Sequence, residues 1–252
     1  MYFDSHAHYD DRRFHKDRDQ LLGKILPEAG VDFIVNVGCD YKTSKKSIEL
    51  AKKYHYIYAS VGYHPHELSE IDSKSIDQMR EWAKEEKVVA LGEFGLDYYH
   101  DAHPREVQQF WFRQQLRLAE EIDMPVIIHS REASKDTFDI MEASKVRKGI
   151  IHCYSGEAPM AVDYTNMGFF LGIGGVVTYP NARKLVDVVD AVPLEKIVIE
   201  TDCPYLTPTP NRGKRNDSSN LQYVVEMIAK IKGVSPQEVA KITSDNARSV
   251  YF

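Results

Sequence analysis

Short apolar runs alternate along this chain with longer stretches in which apolar residues recur every three or four positions. The short runs are Tyr2–Ser5, Phe33–Val37, Ile57–Val61, Val88–Leu91, Pro125–Ile128, Gly149–Ile151, Phe169–Ile173 and Ile197–Ile199, bounded by Gly, Pro or polar residues. Short, mostly apolar runs of this kind are what parallel strands covered on both faces look like. Between them, Val107, Phe110, Trp111, Leu118 and Ile122 follow spacings of three, four and seven, as do Leu221, Val224, Val225, Ile228 and Ile231. Both patterns predict helices with one buried face. Ser235-Pro236 followed by Glu238 predicts a further helix start, with Ser as cap and Pro at the first helical position.

Eight strands alternating with helices define the α/β class, and the strand count suits a closed, TIM-type (β/α)8 barrel. A doubly wound open sheet would normally carry a Gly-rich phosphate loop after its first strand; here that strand runs into His6-Ala7-His8. The 252 residues match one barrel of about 250 residues. No linker or low-complexity stretch interrupts them, so residues 1–252 are expected to form a single domain.

Composition narrows the setting. At 43% hydrophobic and 28% charged residues the chain reads as an ordinary globular protein. No apolar run approaches the ~18 residues of a membrane span. The opening MYFDSHAHYDD has acids where a secretory signal would have basic residues. Cys39, Cys153 and Cys203 are odd in number and form no CxxC pair, which argues against a disulfide framework. A cytoplasmic protein, monomeric and without membrane contact, is expected. The net charge of −6 argues against wrapping long nucleic acid on a broad basic surface. It leaves room for an enzyme that grips a strand end locally, where bound cations add positive charge.

In a barrel the catalytic groups come from the C-terminal ends of several strands. The polar residues obey that rule. His6 and His8 follow the first strand, His64 and His66 lie past the third, and Glu93 follows the fourth. His129 ends the fifth, His152 the sixth, and Glu200 and Asp202 close the eighth. Alternate residues of a strand share a face, so His6 and His8 present two imidazoles to one ion. Glu93, among apolar neighbours, is suited to giving one oxygen to each of two cations, the arrangement that clamps a displacement at phosphorus. His129 and His152 complete the ligands. Asp202 is placed to bind a cation and to accept a proton from an activated water. Glu200 fits either a partner that orients a histidine ligand or an ordinary salt bridge.

The motifs FDSHAHYD, GYHPHE, LGEFGLDYY, VIIHSRE, GIIHCYSG, GFFLGIGG and IETDCPYLTP occur in this order along essentially the whole chain. In this the sequence resembles the TatD-like metal-dependent deoxyribonucleases of the amidohydrolase superfamily. The resemblance implies a somewhat distorted (β/α)8 barrel and metal ligands at His6, His8, Glu93, His129, His152 and Asp202. It also implies nuclease activity. Glu93 stands where many two-metal amidohydrolases carry a carboxylated lysine, and the initial His-x-His pair is kept.

The expected function is therefore hydrolysis of DNA phosphodiester bonds by water activated between two divalent cations, acting 3′ to 5′ on single-stranded ends. Zinc-like or manganese-like ions suit four histidines better than magnesium. Catalytic roles fall to Asp202, Glu93 and His64, the last polarising a phosphate oxygen; His66 fits either a site role or a turn cap. Arg131 is a candidate phosphate contact or a surface ion pair with Glu132 or its neighbours. Arg212, Lys214 and Arg215, on a loop after strand eight, are candidate contacts to the DNA backbone or simply solvated. Tyr98, Tyr99, Tyr154 and Tyr205 lie near strand ends, where aromatics either stack on unpaired bases or pack the rim. Cys153 and Cys203 read as small buried fillers. Two alternatives stay open: a metal-dependent ester or amide hydrolase, such as a D-aminoacyl-tRNA deacylase, and a non-catalytic nucleic-acid binder.

Overall fold

In a computed structural model describing residues 1–252, eight strands lie side by side in sequence order, each parallel to the next. They are β1 (Tyr2–Ala7), β2 (Val31–Val37), β3 (Ile57–Val61), β4 (Val88–Asp97), β5 (Val126–Arg131), β6 (Gly149–Ile151), β7 (Phe170–Ile173) and β8 (Ile197–Ile199). Helical segments separate all successive strands, residues 18–28 between β1 and β2 included, and two helices close the chain, Leu221–Lys232 and Pro236–Tyr251. The expected cap holds: the Ser235 side chain accepts the Glu238 amide at 3.2 Å. No helix is long and apolar enough to cross a membrane.

The barrel closes between β1 and β8 without a full ladder. Ser5 Oγ donates to the Ile199 carbonyl at 3.0 Å, and the Thr201 amide donates to the Asp4 carboxylate at 3.0 Å. Past the end of β8 the Asp202 amide donates to the His6 carbonyl at 3.0 Å and the His8 amide to the Cys203 carbonyl at 2.8 Å. This seam distorts the barrel, and it puts Asp202 beside the His-Ala-His segment.

Strand residues alternate between two apolar layers. Ile34, Val126, Ile128, Ile151 and Ile199 join the helices in the larger outer core. Phe3, Val35, Ile127, Ile150 and Val198 fill a smaller cluster with Ala247, Val250 and Tyr251 of the last helix. Residues two apart share a face, so Ile127 and His129 point together, as do Ile150 and His152, and Val198, Glu200 and Asp202. The apolar floor thus continues upward into the polar mouth.

The strands differ from the apolar runs in one instructive way. β1, β4 and β5 reach Ala7, Asp97 and Arg131, so His6, Glu93 and His129 lie inside strands rather than after them. The backbone ladder continues where apolarity stops: Gly95 pairs with His129, Leu96 with Ser130 and Asp97 with Arg131. Helix Arg105–Ile122 buries Leu118 and packs Val107, Trp111 and Ile122 against the core as expected, but its inward face is shifted. Phe110 is 53% exposed, while Gln108, Phe112, Gln115 and Leu116 are buried. The two glutamines are buried because they satisfy backbone groups. Gln108 accepts the Asp97 amide at 2.8 Å, and Gln115 accepts the Tyr63 amide at 2.8 Å.

Candidate metal centre

A cavity of about 560 Å³ opens at the C-terminal end of the strands, and His64, Glu93, Arg131, His129, His152 and Asp202 are among its lining. Glu93 is 4% exposed at its floor. Its two oxygens face different partners. Oε2 lies 3.3 Å from His6 Nε2 and 3.9 Å from His8 Nε2. Oε1 lies 2.8 Å from His129 Nδ1, 3.6 Å from His152 Nε2 and 3.8 Å from His64 Nε2. Asp202 Oδ1 adds to the first group, 3.3 Å from His8 Nε2 and 3.8 Å from His6 Nε2. All six residues expected to bind metal converge here.

The ring nitrogen of His8 turned away from Glu93 fixes its neutral tautomer: Nδ1–H donates to the Val37 carbonyl at 3.1 Å, so Nε2 presents a lone pair to the site. His129 stands between two carboxylates, with Nδ1 2.8 Å from Glu93 Oε1 and Nε2 3.1 Å from Asp97 Oδ2. Burial opposes its protonation, but the hydrogen bonds to Asp97 and Glu93 raise its pKa. A neutral ring there would turn a lone pair on one carboxylate oxygen, a contact that repels unless a proton or a metal ion accompanies it. His6 Nε2 and His8 Nε2 lie 3.1 Å apart, a natural separation for two ligands on one ion with bonds of about 2.1 Å. The donors present therefore fit divalent cations of zinc-like or manganese-like character.

Charges shift in step. Burial opposes ionisation of Glu93, but His152 and His6 hold its pKa well below the usual carboxylate range. Asp202 is likewise held low against burial, mainly by its bond with His8 and the charge of His152. Burial disfavours protonating His152, yet Glu200 and Glu93 push its pKa up to about 9. Glu200 Oε1 lies 3.0 Å from His152 Nδ1, off the line of a good hydrogen bond, and accepts the Cys153 amide at 2.7 Å. Glu200 thus faces the histidine by charge, without a hydrogen bond to it.

His64 differs from the ligands. Its Nδ1 accepts the His66 amide at 3.1 Å, so a neutral ring carries its proton on Nε2, which points at the cavity. Burial and then the neighbouring His129 push its pKa well below the usual value, which keeps the ring neutral. This is a donor in the site rather than a lone pair.

Other expected residues separate. Arg131 lines the cavity and lies over the Tyr99 ring, 4.3 Å from its centroid, so its surface ion pair with Glu132 is not formed. Tyr99 and Tyr205 are exposed, whereas Tyr154 is buried and Tyr98 bonds to Asp136 at 2.7 Å, so these two pack the rim. Cys203 is buried as expected; Cys153 is only half-buried. The basic loop is not among the cavity lining. Arg212 lies over Tyr179 and Lys214 reaches Asn211. Arg215 corrects an expectation: it is committed to Asp17, at 2.6 and 2.8 Å, and to the Arg13 carbonyl. A bidentate carboxylate partner satisfies the guanidinium that a DNA phosphate would need.

Arg215→Ala is therefore expected to lower thermal stability by about 1 kcal/mol, as for a surface pair of good geometry. Arg215 holds the Asp17 pKa low, so this loss is present at pH 7 and fades as the pH falls below about 4. Melting curves at both pH values check it.

Sequence reasoning missed Asp97, which sits four residues past Glu93 on the same strand and was overlooked inside GLDYY. Asp97 and Glu200 lie behind His129 and His152, two of the three histidines that face Glu93 Oε1. Carboxylates in this position orient a histidine and raise its basicity. Asp97→Ala and Glu200→Gln are each expected to weaken metal binding about 10- to 100-fold. A chelator-competition titration reads this directly, and unchanged affinity in both would count against it.

A parallel barrel whose mouth gathers four histidines and two carboxylates around one cavity is the architecture of a metal-dependent hydrolase. The profile described as TatD related DNase matches residues 3–252, and the chain belongs to that family. It is 40% identical over 253 residues to YabD of Bacillus subtilis, an uncharacterized metal-dependent hydrolase, covering 100% of this chain and 99% of that protein. It is 33% identical over 257 residues to an uncharacterized metal-dependent hydrolase, TatD, of Mycobacterium tuberculosis, covering 98% and 97%. The crystal structure of YjjV, a TatD homolog from Escherichia coli K12, superposes with a TM-score of 0.93 at 30% identity, covering 99% of this chain and 97% of the other.

Proposed function

We propose that this protein is a deoxyribonuclease that removes nucleotides from the 3′ ends of single-stranded DNA using two divalent cations. The observation that carries the proposal is the division of Glu93, one oxygen toward His6, His8 and Asp202 and the other toward His129 and His152. The cations supply a Lewis acid for phosphoryl oxygens and a lowered pKa for the attacking water.

The chain's own residues do the rest. His6, His8 and Asp202 would hold one cation and His129 and His152 the other, with Glu93 turning one oxygen to each set. Asp202, kept ionised by its histidine neighbours, accepts the proton of the water as it attacks phosphorus in line. His64 donates Nε2–H to a non-bridging phosphate oxygen, where charge grows in the transition state. Arg131 pairs with a neighbouring phosphate, and the exposed Tyr99 beneath it offers a face to an unpaired base. Membership of a family described as TatD related DNase supports the substrate.

The test is release of nucleotides from a 3′-labelled single strand by protein stripped of metal and then given Mg²⁺, Mn²⁺ or Zn²⁺. Metal-restored cleavage is expected, reduced about 10²- to 10⁴-fold in Asp202→Asn, the range for losing a general base. No cleavage with any metal, in protein that binds close to two cations, would overturn the nuclease reading and favour aminoacyl-ester hydrolysis. Equal cleavage of covalently closed duplex would overturn the preference for ends.

A further inference from the structure

A second cluster of metal-type donors stands on the rim of the cavity, outside the six proposed ligands. His66 Nε2 lies 2.9 Å from Asp97 Oδ2 and His100 Nδ1 lies 3.0 Å from the same oxygen. His129 Nε2 approaches that oxygen too, at 3.1 Å. The other carboxylate oxygen, Oδ1, already accepts the amides of Tyr99 at 3.1 Å and His100 at 2.9 Å.

Three imidazole nitrogens around one oxygen exceed its hydrogen-bonding capacity. A carboxylate oxygen offers about two lone-pair sites, and His129 needs one of them to keep its Nδ1 turned to Glu93. The remaining site cannot serve two separate N–H donors well. One cation there removes the conflict, because His66 Nε2, His100 Nδ1 and Oδ2 then share a single positive centre instead of two donors competing for one oxygen. The three donor atoms lie within 4.8 Å of one another. Asp97 is 1% exposed, whereas the His66 and His100 side chains are 30% and 45% exposed, so the cluster has a fixed anionic anchor and two rings open to the cavity.

We propose that His66, Asp97 and His100 form a third divalent-cation site, of zinc-like chemistry, that fills after the proposed binuclear centre. Two imidazoles and one carboxylate are a common three-residue zinc set, with a fourth position left for water or a substrate oxygen. The site is the weaker one because both its rings are partly solvent-exposed and its carboxylate oxygen is shared with His129. It shares Asp97 Oδ2 with His129, so its occupancy is coupled to the orientation of a ligand of the main centre.

The experiment is zinc counting on the full chain across buffered free Zn²⁺, in wild type, His100→Ala and His66→Gln, with anomalous diffraction from zinc-soaked wild-type crystals. We expect wild type to bind a third zinc at a free concentration at least about tenfold above that filling the first two, using the affinity scale in which tenfold is about 1.4 kcal/mol. Both variants stop one zinc short of wild type and keep the earlier steps. An anomalous peak within bonding distance of His66, Asp97 and His100 is expected. Equal stoichiometry in all three proteins, or a last zinc bound elsewhere, overturns the proposal. Because the readout is metal count, a wild type that binds zinc without cutting DNA rejects the nuclease reading and leaves this one standing.

Discussion

Glu93→Gln is expected to abolish turnover, by at least about a thousandfold, and to strip metal from the protein while leaving the barrel folded. Removing a carboxylate that merely backs a ligand weakens metal binding about 10- to 100-fold, and Glu93 faces both donor groups itself. The amide has nearly the same shape, so packing at this 4% exposed position is preserved. What changes is charge. His6, His8, His129 and His152 surround a group whose negative charge they stabilise, and the amide leaves them facing one another without it. Its NH2 also turns hydrogens rather than a lone pair toward one of the two proposed cation positions. Metal analysis and melting curves accompany the assay. A variant that keeps two tightly bound ions and a tenth of its activity would falsify the bridging role.

Gly95→Ala is expected to cost at least about 3 kcal/mol, roughly a 10 °C fall in melting temperature for a chain of this size. Gly95 has φ +152, and an added Cβ would lie 2.0 Å from the His129 carbonyl oxygen. That carbonyl belongs to the strand paired with Gly95, so it cannot move without opening the β4–β5 ladder beside the site. Gly213→Ala is the control. Gly213 also has a positive φ, +89, but nothing lies within 4 Å of its added Cβ. Only the backbone penalty of about 1–2 kcal/mol applies there. Equal losses in the two variants would show that the close approach of β4 and β5 matters little. The prediction also concerns function, because the same approach puts His129 Nδ1 2.8 Å from Glu93.

The extent to which the site could be read beforehand follows from what each residue's position depends on. His6, His8, His129, His152 and Asp202 stood out because each lies at or next to the end of an apolar run, and a barrel gathers such ends at one mouth. Glu93 was found for the same reason, although its strand continues to Asp97. Asp97, His100 and Cys39 were not. Cys39 follows β2 and places its Sγ 3.8 Å from Glu93 Oε2, but a lone thiol in the sequence carries no spacing signal. Gln108 and Gln115 were hidden more deeply: on a helix they look like solvent-facing polar residues, and only the packed structure shows them holding the backbone of the segments that carry Asp97 and His64. Arg215 failed in the opposite sense, because a basic residue on a mouth-side loop looks free until Asp17 is seen beside it.

The order of short apolar runs and amphipathic helices by itself determined the α/β barrel and the strand ends from which ligands come. These depend on periodicities of two and 3.6 residues, which are local properties of the chain. The tertiary structure alone decided which oxygen of Glu93 meets which histidine, how the β1–β8 seam carries Asp202 to His6 and His8, and which ring nitrogen of each histidine is free. Those outcomes turn on strand register, barrel closure and hydrogen-bond partners far apart in sequence, which no local pattern encodes.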